Sequence, residues 1–201
     1  MVYEMGKYNI TTTAKDLTPA TIVDYIDYRI VEMPKFQRNF VWDIERASKL
    51  IDSLFYNLPI PEVFLFANDD DNQTYKIIDG QQRVLTIYFY IKGKFPKSPK
   101  AFEQLDFDPS ADPLVGRAGR IGNEEFFTEF RSTVSGKTFN ELNQDEKVWF
   151  RLKRYLRSIV IRQHGKENDN QTMFEVFSRL NTGGLAFTEQ EIRELLQKEG
   201  E

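Results

Sequence analysis

The chain reads TYKIIDGQQRVLTIYFYIK from Thr74 to Lys92, and this stretch decides how the fold is interpreted. Its first five residues are rich in β-branched and aromatic side chains, which favours a strand. Asp79 and Gly80 follow as a turn, and Gln81 to Lys92 then place apolar side chains at helical spacing. The sequence therefore predicts a strand that turns sharply into a helix, with its polar residues at the junction.

Upstream of this stretch, the sequence predicts a hairpin and two helices. A second apolar run, Glu62 to Ala67, is separated from Thr74 by a polar turn, so the two runs pair as a hairpin. Asp43 can cap a helix that Pro59 and Pro61 terminate. One apolar face of that helix comprises Ala47, Leu50, Ile51, Leu54, Phe55 and Leu58. Thr18 and Pro19 start an earlier short helix over residues 19–28, and a loop from Arg29 to Trp42 joins the two.

Downstream, an irregular excursion over residues 93–123 contains four glycines and four prolines. We expect helices and one strand beyond it: helices over Glu124–Phe130, Gln144–Tyr155 and Asn170–Leu180, a strand over Ser158–Gln163, and a last helix opened by a capping box at Thr188. This order predicts a single α+β domain over residues 1–201. It has a small mixed sheet with a β-hairpin, surrounding helices and a helical part from about residue 124.

The composition excludes several classes of protein. The chain has 201 residues, of which 40% are hydrophobic and 28 are aromatic, so it is not disordered as a whole. It contains no cysteine and one histidine, which argues against zinc sites, disulfide scaffolds and Ser-His-Asp or Cys-His catalysis. The net charge of −4 argues against nucleic-acid binding by bulk charge. We expect a cytoplasmic protein with no membrane segment, since no long apolar run or signal core is present.

The segment Asp79-Gly80-Gln81-Gln82-Arg83 carries the chemistry that the sequence suggests. A glycine at a strand-to-helix turn lets backbone N–H groups approach an anion, and the helix N-terminus adds partial positive charge. Arg83 could clamp phosphate oxygens, and Asp79 could hold Mg²⁺ or position a water. The spacing alone favours an ordinary tight turn, in which Asp79 caps the helix and Arg83 pairs with a surface acid.

Five motifs in order resemble one family, the N-terminal domain of GmrSD-type restriction endonucleases with the DGQQR motif. They are Pro34–Arg38 with Trp42, Leu50–Leu54, Pro59–Pro61, Ile78–Arg83 and Phe177–Gly184, and the resemblance runs from about residue 18 to 195. It implies a ParB/sulfiredoxin-like fold. It also implies NTP binding and hydrolysis, with Mg²⁺ and GTP, ATP or CTP, in a modification-dependent (type IV) restriction system for phage defence.

Carried over by residue, the resemblance implies catalytic roles for Asp79, Gln81, Gln82 and Arg83, and a Mg²⁺ ligand in Asp79. It implies nucleotide binding by Gln37, Arg38, Gly80, Arg179 and Asn181. For Asn181, a plain helix-end cap is an equal alternative. For Phe36, Phe40 and Trp42, core packing is favoured over base stacking in all but one.

Nuclease activity is not expected from this chain alone, because the usual HNH site requires histidines that it lacks. We expect the partner to be a C-terminal HNH-type nuclease region or a separate subunit, and the chain to be a fragment or a stand-alone regulatory domain. The alternative function is a non-catalytic module that senses nucleotide or modified DNA and controls that nuclease. Residues 147–162 combine basic and aromatic side chains. A solvated helix face is favoured for them, and a DNA-facing patch is the alternative.

Overall fold

The computed structural model describes residues 9–32, 40–67, 74–98, 105–106, 120–121, 126–133, 135–164 and 169–181. The helices within these ranges are α1 (Pro19–Asp27), α2 (Ile44–Tyr56), α3 (Gln81–Lys92), α4 (Gln144–Lys153) and α5 (Asp169–Asn181). The strands are β1 (Ile10–Leu17), β2 (Val31–Glu32), β3 (Val63–Ala67), β4 (Tyr75–Asp79), β5 (Lys94–Pro96), β6 (Leu105–Asp106), β7 (Arg120–Ile121), β8 (Phe127–Glu129) and β9 (Leu156–Gln163). None of the described helices is long and apolar enough to cross a membrane.

A five-stranded mixed sheet in the order β1-β9-β3-β4-β2 organises the molecule. β1 is antiparallel to β9, β9 is parallel to β3, β3 is antiparallel to β4, and β4 is parallel to β2. Two small ribbons, β5 with β8 and β6 with β7, lie outside this sheet. The predicted mixed sheet with a hairpin and surrounding helices is therefore confirmed at the level of a mixed α/β architecture.

Local signals place most helices where the sequence predicts them. Asp43 caps α2, because its Oδ1 accepts a hydrogen bond of 2.7 Å from the backbone N–H of Arg46. Thr18 caps α1 in the same way through Thr21. α2 ends at Tyr56, and Asn57 takes the left-handed conformation that commonly follows a helix. Leu58 is consequently 54% exposed, and its predicted place on the apolar face of α2 is wrong.

Helix α3 lies in the main core and is buried around most of its circumference. Five of its residues are fully buried although they lie on different sides of the helix: Leu85, Ile87, Tyr88, Phe89 and Tyr90. The buried surface of α3 is therefore wider than a single apolar face. The Tyr88 hydroxyl donates to Asp27, and the Tyr90 hydroxyl donates to the backbone carbonyl of Lys137. Burial raises the pKa of both phenols far above the usual value, so both stay neutral.

The opposite face of the sheet packs against α5. Alternate residues of a strand point to opposite faces. Accordingly Leu65 and Ile77 belong to the main core, whereas Phe66 and Ile78 pack with Met173 of α5. The sheet therefore has helices on both faces, and the junction between β4 and α3 lies at one of its ends.

The structure differs from the sequence prediction in three further segments. The helix predicted over Glu124–Phe130 is wrong, because Phe127–Glu129 form β8, which pairs with β5. β1 was not predicted, since most of its side chains are polar and exposed. α4 ends at Lys153, two residues before the predicted end at Tyr155. The helix predicted from Thr188 lies outside the described residues.

Candidate functional site

Asp79 and Gly80 form the corner at which β4 passes into α3. Asp79 is the last residue of β4 and pairs in register with Phe64 near the start of β3. Gly80 has a φ of +93°, a conformation that residues with a Cβ rarely adopt. A Cβ at this position would lie 2.6 Å from Cγ2 of Val63. The close approach of β3 and the backbone conformation both require glycine here.

Arg83 closes the corner from the first turn of α3. Its Nη2 lies 2.8 Å from Oδ2 of Asp79 and donates a second bond of 2.9 Å to the carbonyl oxygen of Glu62. Its Nε is buried and has no hydrogen-bond partner in the part of the chain that the structure describes. The side chains of Arg83 and Asp79 are 15% and 37% exposed. The corner thus presents a partly exposed carboxylate beside a mostly buried guanidinium.

The ordinary-turn interpretation is only partly correct for this corner. Gly80, rather than Asp79, is the N-cap of α3, and it supplies no side-chain cap. Arg83 pairs with Asp79, its own neighbour four residues back, rather than with another surface acid. The backbone donors of the first helical turn are therefore not capped by Asp79, in contrast to the arrangement at Asp43.

The two glutamines of the motif are buried, with only 6% of Gln81 and 8% of Gln82 exposed. Oε1 of Gln82 accepts hydrogen bonds from the backbone N–H groups of Val41 at 2.9 Å and Trp42 at 3.3 Å. Gln82 therefore fixes the backbone of residues 41–42 to the start of α3. This contact favours an orienting role over direct contact with a ligand, and the catalytic roles expected of both glutamines stay predictions.

An aromatic-walled cavity of about 430 Å³ lies on the segment that Gln82 holds. Its walls include Phe40, Trp42, Ile44, Phe95 and Lys97, and neither Asp79 nor Arg83 lines it. Phe40 is 2% exposed and packs edge-to-face on Phe89 and Phe95, so its predicted core role is confirmed. Trp42 is half-buried and stacks under the guanidinium of Arg46, 4.7 Å from its ring centre.

The remaining predicted site residues are not brought to this corner by any contact of the described residues. Gln37, Arg38 and Phe36 lie outside the described residues, so the nucleotide-binding roles of Gln37 and Arg38 and the packing of Phe36 stay predictions. Arg179 pairs with Glu175 on its own helix at 2.6 Å. Asn181 is the last residue of α5, and its side chain is outside the described part of the structure.

The sequence matches the family described as GmrSD restriction endonuclease, N-terminal domain, over residues 20–196. This chain belongs to that family. A comparison with curated proteins found no match, and a comparison with solved structures found none. Membership identifies the chain as part of a restriction endonuclease system.

Two neighbours complete the corner of this GmrSD N-terminal domain, and sequence reasoning missed both. Glu62 contributes only its backbone carbonyl, and Val63 only the methyl group that faces Gly80. The bond from Arg83 to Glu62 spans 21 residues, so no local pattern signals it. The sequence signal nearby, Pro59 and Pro61, indicated only the end of α2.

The described residues of the GmrSD domain offer no ready-made metal site. Among the residues that the structure describes, no group of three or more His, Cys, Asp or Glu side chains is arranged to hold a metal ion. Asp79 is a single carboxylate already engaged by Arg83. A protein cage for Mg²⁺ is therefore not formed by these residues, and a nucleotide would have to supply most of the ligands.

Proposed function

We propose that this GmrSD N-terminal domain is an NTP-binding and NTP-hydrolysing regulatory domain of a modification-dependent restriction system. The observation that carries the proposal is the corner formed by Asp79, Gly80 and Arg83. It combines a helix N-terminus, a guanidinium and a carboxylate at one partly exposed position. A ParB/sulfiredoxin-like fold and a cytoplasmic location are parts of the same proposal.

The chemistry of the corner suits phosphate. The N-terminus of α3 carries partial positive charge, and although Gly80 itself is buried, the partly exposed Asp79 beside it opens the corner to solvent. Arg83 is held by two acceptors through one of its nitrogens, which fixes the direction of the guanidinium plane. A fixed cation stabilises the charge that develops on a transferring phosphoryl group without reorganising.

Mg²⁺ fits this corner only together with a nucleotide. Magnesium sites on nucleotides commonly use one or two protein carboxylates, with phosphate oxygens and water completing the octahedron. Asp79 is the carboxylate that would hold the ion, which supplies charge neutralisation between adjacent phosphates. Gln82 would act indirectly, by orienting the segment that follows Gln37 and Arg38.

One observation favours the second candidate function, a non-catalytic sensing module. The carboxylate of Asp79 is paired with Arg83, and both glutamines are buried, which favours structural roles for these side chains over activation of a water. A domain of this kind would bind nucleotide and control a partner nuclease region without turnover. Both candidates place the nuclease outside this chain.

The experiment compares binding and turnover in the same protein. We expect the melting temperature of the 201-residue chain to rise with GTP, ATP or CTP in the presence of Mg²⁺. Phosphate release should fall at least about 100-fold in Asp79→Asn, which keeps the size but removes the carboxylate charge, and in Arg83→Lys, which keeps the charge but removes the planar guanidinium. Glu45→Gln and Lys49→Gln are the controls. The native Glu45 and Lys49 form an ion pair with the same i,i+4 spacing on the exposed side of α2.

The outcomes separate the candidates. A thermal shift without phosphate release supports the sensing module and rejects hydrolysis. No shift with any nucleotide, in a chain that is folded by circular dichroism, rejects nucleotide binding and leaves only a sensor of modified DNA. Equal loss of turnover in the Lys49→Gln control would mean that the Asp79 corner has no special role.

A further inference from the structure

Residues 147–162 concentrate positive charge in an otherwise acidic chain. They include six basic residues and no acidic one, and because the whole chain carries −4, the rest of it carries −10. The basic residues are Lys147, Arg151, Lys153, Arg154, Arg157 and Arg162. A local polyanion-binding surface is therefore compatible with the negative total charge.

The structure separates this window into a packed side and an exposed side. Phe150 is fully buried, and Trp149 stacks on Phe55 in the core. Arg151, Lys153 and Arg157 are exposed, and the guanidinium of Arg154 lies 3.5 Å from the ring centre of Trp149. The cations Arg151, Lys153, Arg154 and Arg157 lie within seven consecutive residues at the end of α4 and the start of β9, and we call them the basic edge. Asp16 partly offsets it through a 3.5 Å contact with Arg157.

Large exposed side chains accompany these cations. Tyr155 and Leu152 are 59% and 53% exposed on the basic edge itself. At the end of α2, Tyr56 is 63% exposed, and Nη1 of Arg154 lies 3.5 Å from Oδ1 of the next residue, Asn57. Arg, Lys and Tyr side chains are among those that donate hydrogen bonds to the phosphate oxygens of duplex DNA.

The register of the sheet places the basic edge beside the Asp79 corner. Phe64 of β3 pairs with Asp79 on one side and with Ile159 of β9 on the other. Asp79 and Ile159 are therefore two strand spacings apart, about 10 Å. Arg157 lies two residues before Ile159, towards the same end of the sheet. The segment Asn57–Glu62 joins the two places, since it contacts Arg154 at one end and Arg83 at the other.

We infer that the basic edge binds the phosphate backbone of duplex DNA. The charge of the basic edge decides which partner we infer. Residues 147–162 contain cations and no acidic residue, so they suit a regular polyanion better than a protein surface of mixed charge. The inference concerns a surface separate from the Asp79 corner and holds whether or not that corner hydrolyses NTP.

The test is binding of the 201-residue chain to a fluorescent 20-base-pair duplex, followed by anisotropy at several salt concentrations. Arg151→Gln with Lys153→Gln should weaken binding at least tenfold, and the slope of log K against log salt should fall by about 1.8, or about 0.9 for each phosphate that is no longer neutralised. The matched control, Lys49→Gln with Arg131→Gln, removes two exposed, paired cations elsewhere and should leave both quantities unchanged.

Several results would overturn the inference. Absence of binding by the unaltered chain at 50 mM salt would do so, as would an equal loss in both double variants. A lower melting temperature with unchanged DNA affinity would show that Arg151 and Lys153 only complement the negative C-terminal end of α4. Tighter binding of a polyglutamate peptide than of duplex DNA would assign the surface to an acidic protein. The slope of log K against log salt for the unaltered chain tests the inference without any variant, because a slope near zero would show that no phosphates are neutralised.

Discussion

Gly80 is the residue at which backbone and packing constraints coincide. Its φ of +93° strains any side chain, and Val63 occupies the space that a Cβ would need. We predict that Gly80→Ala lowers the free energy of unfolding by about 2–4 kcal/mol, the sum of backbone strain and overpacking. Urea unfolding measures this change.

Gly136 provides the control for that substitution. It also has a positive φ, of +63°, but no atom of the residues that the structure describes lies within 4 Å of the position of an added Cβ. Gly136→Ala should therefore show the backbone contribution alone, about 1 kcal/mol. Adding Val63→Ala to Gly80→Ala should restore part of the unfolding free energy that Gly80→Ala alone loses, because it removes the methyl group that the added Cβ meets. Equal effects of the two glycine substitutions would contradict the close approach of β3.

At the scale of elements, Gln82 joins α3 to the segment that follows the Gln37-Arg38 motif. Gln82→Leu leaves the N–H groups of Val41 and Trp42 without their acceptor, which should cost about 1–3 kcal/mol. We predict a shift of the indole N–H NMR signal of Trp42, which lies on the released segment.

Thr86→Val is the matched control for Gln82→Leu. It removes a buried 2.7 Å bond to the carbonyl of Gln82 in the same helix but leaves the amide of Gln82 in place. Stability should fall while the Trp42 signal stays where it was. An unchanged Trp42 signal in Gln82→Leu would show that Gln82 does not position the segment.

The elements that could be predicted are those whose signals are local. Asp43 and Thr18 cap helices within three residues, and the bounds of α3 follow from the glycines at both of its ends. β1 was missed because its identity depends on pairing with β9 across the chain, from Ile10 to Gln163. Phe127–Glu129 were assigned to a helix because a short apolar stretch is ambiguous until its partner strand is known.

The same limit applies to the candidate site. The corner of Asp79, Gly80 and Arg83 lies within five residues, so its polar character is visible in the sequence. The burial of Gln82 is not, because its partners are 40 and 41 residues away. Sequence reasoning therefore indicated which residues share a motif, whereas the structure distinguishes those that face solvent from those that anchor a neighbouring segment.

For the molecule as a whole, stability should fall in acid. Backbone N–H groups and nearby cations lower the pKa of two carboxyls, Glu141 through Thr138 and Arg131, and Glu146 through Asn143 and Lys137. A carboxyl whose pKa is lower in the folded state stabilises it above the unfolded pKa, near 4.5. That contribution is lost as the pH falls through the folded pKa.

We therefore predict that the melting temperature falls between about pH 5 and pH 3, and that Glu146→Gln makes the fall shallower. The chain from Ser132 to Glu146, which carries both carboxyls, is tied to the main core, because Ser132 and Thr133 donate to the buried carboxylate of Asp52 in α2. Loosening it should therefore lower the stability of the whole domain. Glu45→Gln, on the exposed side of α2, is the control and should leave the dependence of the melting temperature on pH unchanged. If the melting temperature of Glu146→Gln fell with pH as steeply as that of the unaltered chain, Glu146 would not contribute to the loss of stability in acid.

β9 lies between β1 and β3, yet it is made long after both of them. A ribosome adding 5–20 residues per second takes on the order of 10 s to proceed from Ala67 to Leu156. During that interval the growing polypeptide carries the apolar run Val63–Ala67 with one side unpaired. Such an edge can recruit another nascent chain, so the yield of this domain in cells should depend on chaperones that shield it until β9 emerges.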